Sequence, residues 1–255
     1  MFIDTHTHLY AEEFNADRKQ AIESAIEKGV TRMYVPNIDS NSIAGLFDLE
    51  KQFPENCFPM MGLHPCSVNE RYADELKVVE HWLGKKKFYA VGEIGIDLHW
   101  DVSFLNQQKD AFRKQISLAK KFNLPIVIHT RKSFDEVFEI VLEMNEKNLR
   151  GIFHCFSGTV EEAEKIISLD GFKMGIGGVL TFKNSGLDKV IKEIDLKHLV
   201  LETDSPYLAP VPFRGKRNES SYITIIAEKL AEIKNVSLNE IEEITAKNAF
   251  EIFGN

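Results

Sequence analysis

Two histidines near the start of the chain, His6 and His8, have the spacing of side chains that can bind one metal ion. They follow a short apolar run, and residues i and i+2 of a strand point to the same face. Imidazole is the commonest metal ligand in proteins and suits zinc, iron, nickel and copper. Because so short a motif also occurs by chance, a metal site needs further ligands from elsewhere in the chain.

Five more polar clusters follow apolar runs and supply such ligands. They are GLHP at 62–65, GEIGID at 92–97, HTR at 129–131, HCFSG at 154–158 and ETDSP at 202–206. Six ligands exceed the set that one tetrahedral catalytic ion uses when it keeps a position open for water. We therefore expect two divalent ions (zinc, magnesium or manganese) with a carboxylate bridging them. The candidate metal ligands are His6, His8, Glu93, His129, His154 and Asp204.

The charge of such a site points to an anionic substrate. Two divalent ions carry more charge than two carboxylates remove, and paired ions can hold both the attacking and the leaving oxygen of a phosphodiester. The whole chain has a formal net charge of −8, and its basic residues form only short runs, KKK at 85–87 and RGKR at 214–217. Proteins that grip a long duplex usually show a basic stripe. We therefore expect a nucleic acid to be held at an end or over a few nucleotides.

Short β-rich runs alternate with helical runs along the whole sequence. We predict strands at 2–6, 31–36, 57–62, 88–92, 125–129, 151–154, 172–176 and 198–202. We predict helices near 15–28, 40–53, 70–84, 105–122, 134–147, 160–169, 185–194 and 221–234, and an extra C-terminal helix near 238–252. Three of the helix starts have the sequence of a capping box, at 133–136, 159–162 and 237–240.

Eight strand–helix units are typical of an α/β protein with a (β/α)8 TIM barrel, and a doubly wound open sheet is the alternative. Each polar cluster then comes at the C-terminal end of a strand, where barrels of this kind place their active sites. The sequence has no Pro/Gly/Ser-rich linker and no low-complexity segment. We therefore expect a single domain over residues 1–255.

The composition is that of an ordinary globular protein, with 44% hydrophobic and 27% charged residues. The N-terminal run has no basic region before it, and no apolar stretch is long enough to span a bilayer, so we expect neither a signal peptide nor a membrane partner. Cys57, Cys66 and Cys155 lack CxxC spacing, which argues against a disulfide framework. We expect a cytoplasmic protein with no obligate protein partner.

Taken together, the clusters resemble the TatD-type metal-dependent deoxyribonucleases of the amidohydrolase-like superfamily. The resemblance begins at FIDTHTHL, continues through GLHP, GEIGID, IHTR and FHCFSG, and ends at ETDSPYLAP and RGKRNES, so it spans nearly the whole chain. Two loops depart from the family pattern. The family often has an aromatic residue directly after GEIGID, where Leu98, His99 and Trp100 follow here, and Ser220 stands where a proline is usual.

The resemblance implies a division of the metal ligands between two ions. His6, His8 and Asp204 would hold one ion, His129 and His154 would hold the second, and Glu93 would bridge them. Asp204 would also take a proton from the attacking water, so Glu93 and Asp204 are the candidate catalytic residues.

The resemblance also implies substrate contacts, with His64 and Arg131 as the phosphate-binding residues. Tyr207 and the loop at 214–217 would lie near the substrate channel. From the residues themselves, we expect Asp4 to orient a ligating imidazole. Glu202 is either an additional ligand or a partner of one.

The activity that the resemblance implies is hydrolysis of DNA phosphodiester bonds, exonucleolytic and 3′-5′, on short or single-stranded ends. The same two-metal site would also suit ester or amide bonds, such as those of D-aminoacyl-tRNA esters. Many hydrolases of that second group bridge their metals with a carboxylated lysine, whereas Glu93 is available here. The third possibility is a metal-binding protein without catalytic activity. Such a protein is expected to lack one of the ligands, whereas this sequence has all six.

Overall fold

The structure, a computed structural model, describes residues 1–146 and 149–254. Within these residues, eight strands alternate with nine α-helices, and every strand pairing is parallel. The strands are β1 (Phe2–Asp4), β2 (Val30–Val35), β3 (Cys57–Pro59), β4 (Val91–Asp97), β5 (Ile126–Arg131), β6 (Gly151–Phe153), β7 (Phe172–Ile176) and β8 (Leu199–Leu201). They form one sheet of β1 to β3 and another of β4 to β8, each in sequence order.

Backbone hydrogen bonds join the two sheets at both of their edges. Between β8 and β1, the amide of Thr5 donates to the carbonyl of Leu201 (3.0 Å). Between β3 and β4, the amide of Met61 donates to Ala90 (3.1 Å) and that of Gly92 donates to Met61 (3.1 Å). A ring of parallel strands with helices outside is a (β/α)8 barrel. The predicted fold class is therefore confirmed, and the alternative of an open sheet is wrong.

The helices follow the predicted order with ends shifted by a few residues. They are α1 (Arg18–Glu27), α2 (Ile43–Gln52), α3 (Tyr72–Leu83), α4 (Leu105–Phe122), α5 (Phe134–Met144), α6 (Val160–Ser168), α7 (Leu187–Glu193), α8 (Ile223–Lys234) and α9 (Leu238–Phe253). The predicted end of the fifth helix at residue 147 lies outside the described residues. None of the helices in the described part of the chain is long and apolar enough to cross a membrane.

The fourth strand differs most from its prediction, because it covers Val91–Asp97 rather than 88–92. Glycine is uncommon within strands, but Gly92 and Gly95 lie inside this one and permit close packing against β5. A Cβ at Gly92 would lie 2.9 Å from the Cβ of Val127, and one at Gly95 would collide with the carbonyl of His129. Glu93 and Asp97 thus lie on a strand rather than on a loop.

Helix α4 fixes two of the polar clusters through buried glutamines. The side chain of Gln115 accepts from the amide of Leu63 (2.7 Å) and donates to its carbonyl (3.1 Å). Gln108 makes the same pair of bonds to Asp97, at 2.8 and 3.2 Å. A buried amide group is costly unless its hydrogen bonds are made. These pairs therefore fix the positions of Leu63, after β3, and of Asp97, at the end of β4, against helix α4.

The predicted capping boxes are confirmed only in part. Thr159 and Glu162 form the full reciprocal pair at the start of α6. At the start of α9, Ser237 accepts from the amide of Glu240, which is one half of the motif. The prediction is wrong at Ser133, whose hydroxyl donates to the carbonyl of Ile96 (2.6 Å) and so joins the helix start to β4.

The extra C-terminal helix, α9, covers the barrel end at which the strands begin. Asn248 donates to the carbonyls of Leu196 and Leu199 (2.8 and 2.7 Å), just before and at the start of β8. The ring of Phe253 stacks on Tyr34 at a centroid distance of 3.7 Å. Together with strand side chains that face the barrel interior, α9 forms a separate buried apolar cluster. The opposite end of the barrel is thereby left for the polar clusters.

Replacement of Phe253 by alanine is expected to destabilise the protein without altering the site. Loss of a buried aromatic ring costs about 3 kcal/mol of unfolding free energy. Chemical denaturation followed by circular dichroism measures this change. Leu142→Ala, at an exposed position of α5, is the control and is expected to change stability by less than about 0.5 kcal/mol. Equal stabilities of the two variants would contradict the packing role of α9.

Candidate active site

The carboxylate of Glu93 lies at the centre of the polar clusters, and its side chain is only 2% exposed. Its two oxygens face different groups of imidazoles. Oε2 lies 3.1 Å from Nε2 of His6 and 3.7 Å from Nε2 of His8. Oε1 lies 2.7 Å from Nδ1 of His129 and 3.4 Å from Nε2 of His64. A carboxylate with donors on both sides has the geometry of a bridge between two ions.

Asp204 completes the side of the site on which His6 and His8 lie. Its Oδ1 lies 3.6 Å from Nε2 of His8 and 3.9 Å from Nε2 of His6. The backbone brings these groups together, because the amide of Asp204 donates to the carbonyl of His6 (2.9 Å) and the amide of His8 donates to Ser205 (2.7 Å). The segments that follow β1 and β8 therefore form one surface.

His129 is held between two carboxylates. Its Nδ1 faces Glu93, and its Nε2 lies 2.8 Å from Oδ2 of Asp97. The other oxygen of Asp97 accepts from the amides of His99 and Trp100 (2.8 and 3.3 Å). An imidazole that donates one N–H to a carboxylate presents the lone pair of its other nitrogen. Asp97 thus directs Nδ1 of His129 towards the centre of the site, a role that the sequence analysis did not assign.

His154 has a comparable partner in Glu202. Nδ1 of His154 lies 3.0 Å from Oε1 of Glu202, which also accepts from the amide of Cys155 (2.6 Å). Glu202 is fully buried, and a Cβ at Gly175 would collide with its Oε2. Nε2 of His154 points the other way, 3.8 Å from Oδ1 of Asp204. Of the two roles expected for Glu202, the geometry fits the partner of a ligand.

His64 faces the centre with a hydrogen-bond donor rather than a lone pair. Its Nδ1 accepts from the amide of Cys66 (3.0 Å), so the hydrogen of the neutral ring is on Nε2, which points at Glu93. A protonated nitrogen donates hydrogen bonds and does not ligate a metal. His64 therefore suits contact with an anion better than contact with a metal ion.

The distances between donor atoms agree only in part with the predicted division of the ligands between two ions. His6, His8 and Glu93 form one group of convergent donor atoms, and His64, Glu93 and His129 form another. His154 belongs to a further group with His6 and Asp204 rather than with its predicted partner His129. Its ring stacks on that of His6 at 3.5 Å, whereas its centroid lies 6.5 Å from that of His129. The other five predicted ligands nevertheless lie around the carboxylate of Glu93.

The donor set fits divalent metal ions. Ligands about 2.1 Å from a tetrahedral ion lie about 3.4 Å from one another, and the distances between donor atoms of His6, His8, Glu93 and Asp204 are 3.1 to 3.9 Å. Nδ1 of His6 is buried and has no hydrogen-bond partner in the described part of the chain. Imidazole and carboxylate together suit zinc and manganese, and carboxylate oxygens also suit magnesium.

Electrostatics keep the central carboxylate ionised. Burial raises the pKa of Glu93, but the charges of His64, His6 and His154 hold it well below its usual range. Burial lowers the pKa of His154, and its carboxylate neighbours, Glu202 first, raise it to about 10. Carboxylates and imidazoles thus stabilise each other's charged forms in a buried site.

Two residues near the site have other roles than nucleophile or imidazole support. Burial raises the pKa of the Cys155 thiol well above its usual range, which leaves it protonated and unsuited to ligate a metal.

Asp4 does not contact an imidazole ring, so the prediction that it orients a ligating imidazole is wrong. It accepts from the amide of His6 (3.3 Å) and from the amide and hydroxyl of Thr203 (2.9 and 2.6 Å). Asp4 therefore joins the backbones at the ends of β1 and β8.

The rim of the site carries three of the residues predicted near substrate. Arg131 is exposed, and its guanidinium lies over the indole of Trp100, 5.3 Å from the ring centroid. Tyr207 is also exposed, and its ring lies edge to face with that of His8 at 5.9 Å. Arg217 differs, because it pairs with both oxygens of Asp17 (2.6 and 2.8 Å). Its charge therefore anchors the loop rather than facing the channel.

Comparisons with known proteins agree with this geometry. The sequence model of the family described as TatD related DNase matches residues 3–254. The uncharacterized metal-dependent hydrolase YabD of Bacillus subtilis (strain 168) is 39% identical over 254 residues, which are 99% of each chain. The uncharacterized metal-dependent hydrolase BU355 of Buchnera aphidicola is 32% identical, over 98% of each chain. The crystal structure of YJJV, a TatD homolog from Escherichia coli K12, has a TM-score of 0.93 at 29% identity and covers 100% of this chain and 98% of its own.

The fold and the convergent histidines and carboxylates define the class of the protein, a metal-dependent hydrolase built on a (β/α)8 barrel. The match over nearly the whole chain then shows that it belongs to the TatD family. The resemblance noted from the sequence motifs is thereby confirmed.

Replacement of Glu202 by glutamine is expected to weaken metal binding by about 10- to 100-fold, because the carboxylate that fixes the ring of His154 loses its charge. Competition with a fluorescent chelator measures the affinity. Glu251→Gln, on α9 at the far end of the barrel, is the matched control and is expected to leave affinity unchanged. A loss of thermal stability with unaltered metal affinity would show that Glu202 supports only the fold.

Proposed function

We propose that this protein is a two-metal deoxyribonuclease that hydrolyses phosphodiester bonds at free or single-stranded DNA ends. The observation that carries the proposal is the position of Glu93, with one oxygen towards His6 and His8 and the other towards His129 and His64. Two divalent ions would supply Lewis-acid stabilisation of the phosphate and a nucleophile at neutral pH. The residues that would hold them are His6, His8, Glu93, His129, His154 and Asp204.

The protein's own residues supply a proton acceptor. The carboxylate of Asp204 is 13% exposed, so it is reachable from the open end of the barrel. Burial raises the pKa of Asp204, but the neighbouring imidazoles, His154 first, hold it below its usual value. An ionised carboxylate beside the reacting water is a suitable general base, and such groups typically contribute about 10²- to 10⁴-fold to the rate.

Two further residues favour a phosphodiester over a neutral ester. His64 directs an N–H towards the centre. Burial lowers the pKa of His64, but the charge of Glu93 and a hydrogen bond with the Cys66 side chain raise it overall. Arg131 stands at the end of β5, two residues beyond His129, and presents a planar cation that matches phosphate oxygens. Neutral esters gain little from an N–H donor beside a cation, whereas a phosphodiester carries a negative charge in both ground and transition state.

The proposal is tested with a 5′-end-labelled single-stranded oligodeoxynucleotide, scanned across magnesium, manganese and zinc. We expect products that shorten one nucleotide at a time from the 3′ end. Glu93→Gln and Asp204→Asn are expected to lower kcat by at least about 100-fold. Asp188→Asn, at an exposed position of α7, is the control. Absence of DNA cleavage with every metal, together with hydrolysis of aminoacyl-ester substrates, would overturn the proposal and favour the ester alternative.

The number of ions is tested separately by elemental analysis. We expect two divalent ions per chain, because Glu93 has donor groups on both of its oxygens. Dialysis against a chelator is expected to abolish hydrolysis, and His129→Ala is expected to retain one ion. A single ion in the unaltered protein, unchanged by the substitution, would contradict a bridging role for Glu93.

A further inference from the structure

The loop after β4 carries an aromatic side chain that lies outside the apolar core. Trp100 is 72% exposed, although tryptophan is among the residues that gain most from burial. Its backbone is nonetheless fixed, because its amide donates to the Asp97 carboxylate that also contacts His129. The indole is therefore held at a defined place beside the site while its ring remains open to solvent.

Arg131 makes this place suitable for an anionic, aromatic ligand. It is the register partner of Asp97 across the β4–β5 pairing, and its guanidinium lies over the Trp100 indole. Arg113 and Arg217 each pair with a carboxylate, whereas none of the ion pairs formed within residues 1–146 and 149–254 includes Arg131. Its charge is therefore free for a ligand, and the indole beneath it limits the orientations of the guanidinium.

The distance from the centre matches a neighbouring nucleotide. Arg131 is two residues beyond His129 along β5, which corresponds to about 7 Å between their Cα atoms. Arg131 lies over the indole, and the imidazole of His99 meets it edge to face at 4.7 Å. Because 72% of the residue is still exposed, the open part of the ring can accept the flat face of a base. Aromatic stacking is tolerant of sequence and acts on bases that are not paired.

From this geometry, and on the basis of the proposed function, we propose that Trp100 and Arg131 form a subsite for one unpaired nucleotide of the substrate. Trp100 stacks on its base and Arg131 contacts its phosphate. A base within a duplex has both faces covered by its neighbours, so this subsite selects frayed or single-stranded ends. It would thereby set the substrate preference of a barrel whose net charge of −8 offers no track for a long duplex.

A kinetic experiment compares two oligodeoxynucleotides of equal length, one unmodified and one in which the nucleotides next to the scissile bond are abasic tetrahydrofuran residues. Trp100→Ala is expected to raise KM for the unmodified strand by about 10-fold, with kcat within about twofold, and to leave KM for the abasic strand unchanged. Trp100→Phe, which retains a ring, is expected to recover most of the affinity. Equal KM values of wild type and Trp100→Ala on the unmodified strand would overturn the subsite.

A binding experiment keeps this proposal separate from the proposed nuclease activity. The chain has two tryptophans, and Trp82 lies on α3 in edge-on contact with Phe47. In the Trp82→Phe variant, Trp100 is the only tryptophan, so tryptophan fluorescence comes from Trp100 alone. We expect a thymidine oligomer to quench this fluorescence and the abasic oligomer to leave it unchanged. Failure to cleave any DNA, with base-dependent quenching retained, would reject the nuclease and keep the subsite. Cleavage without such quenching would reject the subsite and keep the nuclease.

Discussion

The burial of an ionised carboxylate at the mouth of the barrel is the constraint on which the remainder of the site depends. An unpaired carboxylate in such a place would be protonated, because its desolvation is costly. Glu93 remains charged since imidazoles from the segments after β1 and β3 and from β5 point at it from both sides. The barrel supplies this arrangement directly, because eight parallel strands deliver their C-terminal ends to one small area.

The outer partners decide what each imidazole can do. Asp97 lies against the far nitrogen of His129, and Glu202 lies near that of His154, so each ring in its neutral form presents a lone pair inward. The amide of Cys66 has the opposite effect on His64, which presents an N–H. Rings of one residue type are thus divided between binding cations and binding anions. This division is made by backbone and carboxylate groups that lie behind the rings.

Much of this could be predicted from the sequence, and the failures have physical reasons. The period of apolar residues and the strand-end position of each cluster predict the barrel and the six convergent ligands, because strand order fixes where those ends meet. The extent of β4 could not be predicted, since it depends on the approach of Gly92 and Gly95 to β5. Asp97 was not assigned for the same reason. The inward turn of Arg217 towards Asp17 joins residues 200 positions apart, which no local pattern encodes.

Two residues at the site have a left-handed backbone conformation. Cys155 and Asp204 have positive φ angles of 50° and 56° although neither is glycine. Cys155 directly follows His154, and Asp204 is itself a residue of the site. Such conformations cost about 1 to 3 kcal/mol each and persist only where neighbouring contacts enforce them. At the other end, α9 and the strand side chains form an apolar cluster with no polar group of the site in it. The apolar packing of α9 is therefore separate from the residues of the site, and substitutions that tune the chemistry at the rim need not disturb the packing that holds the strands in place.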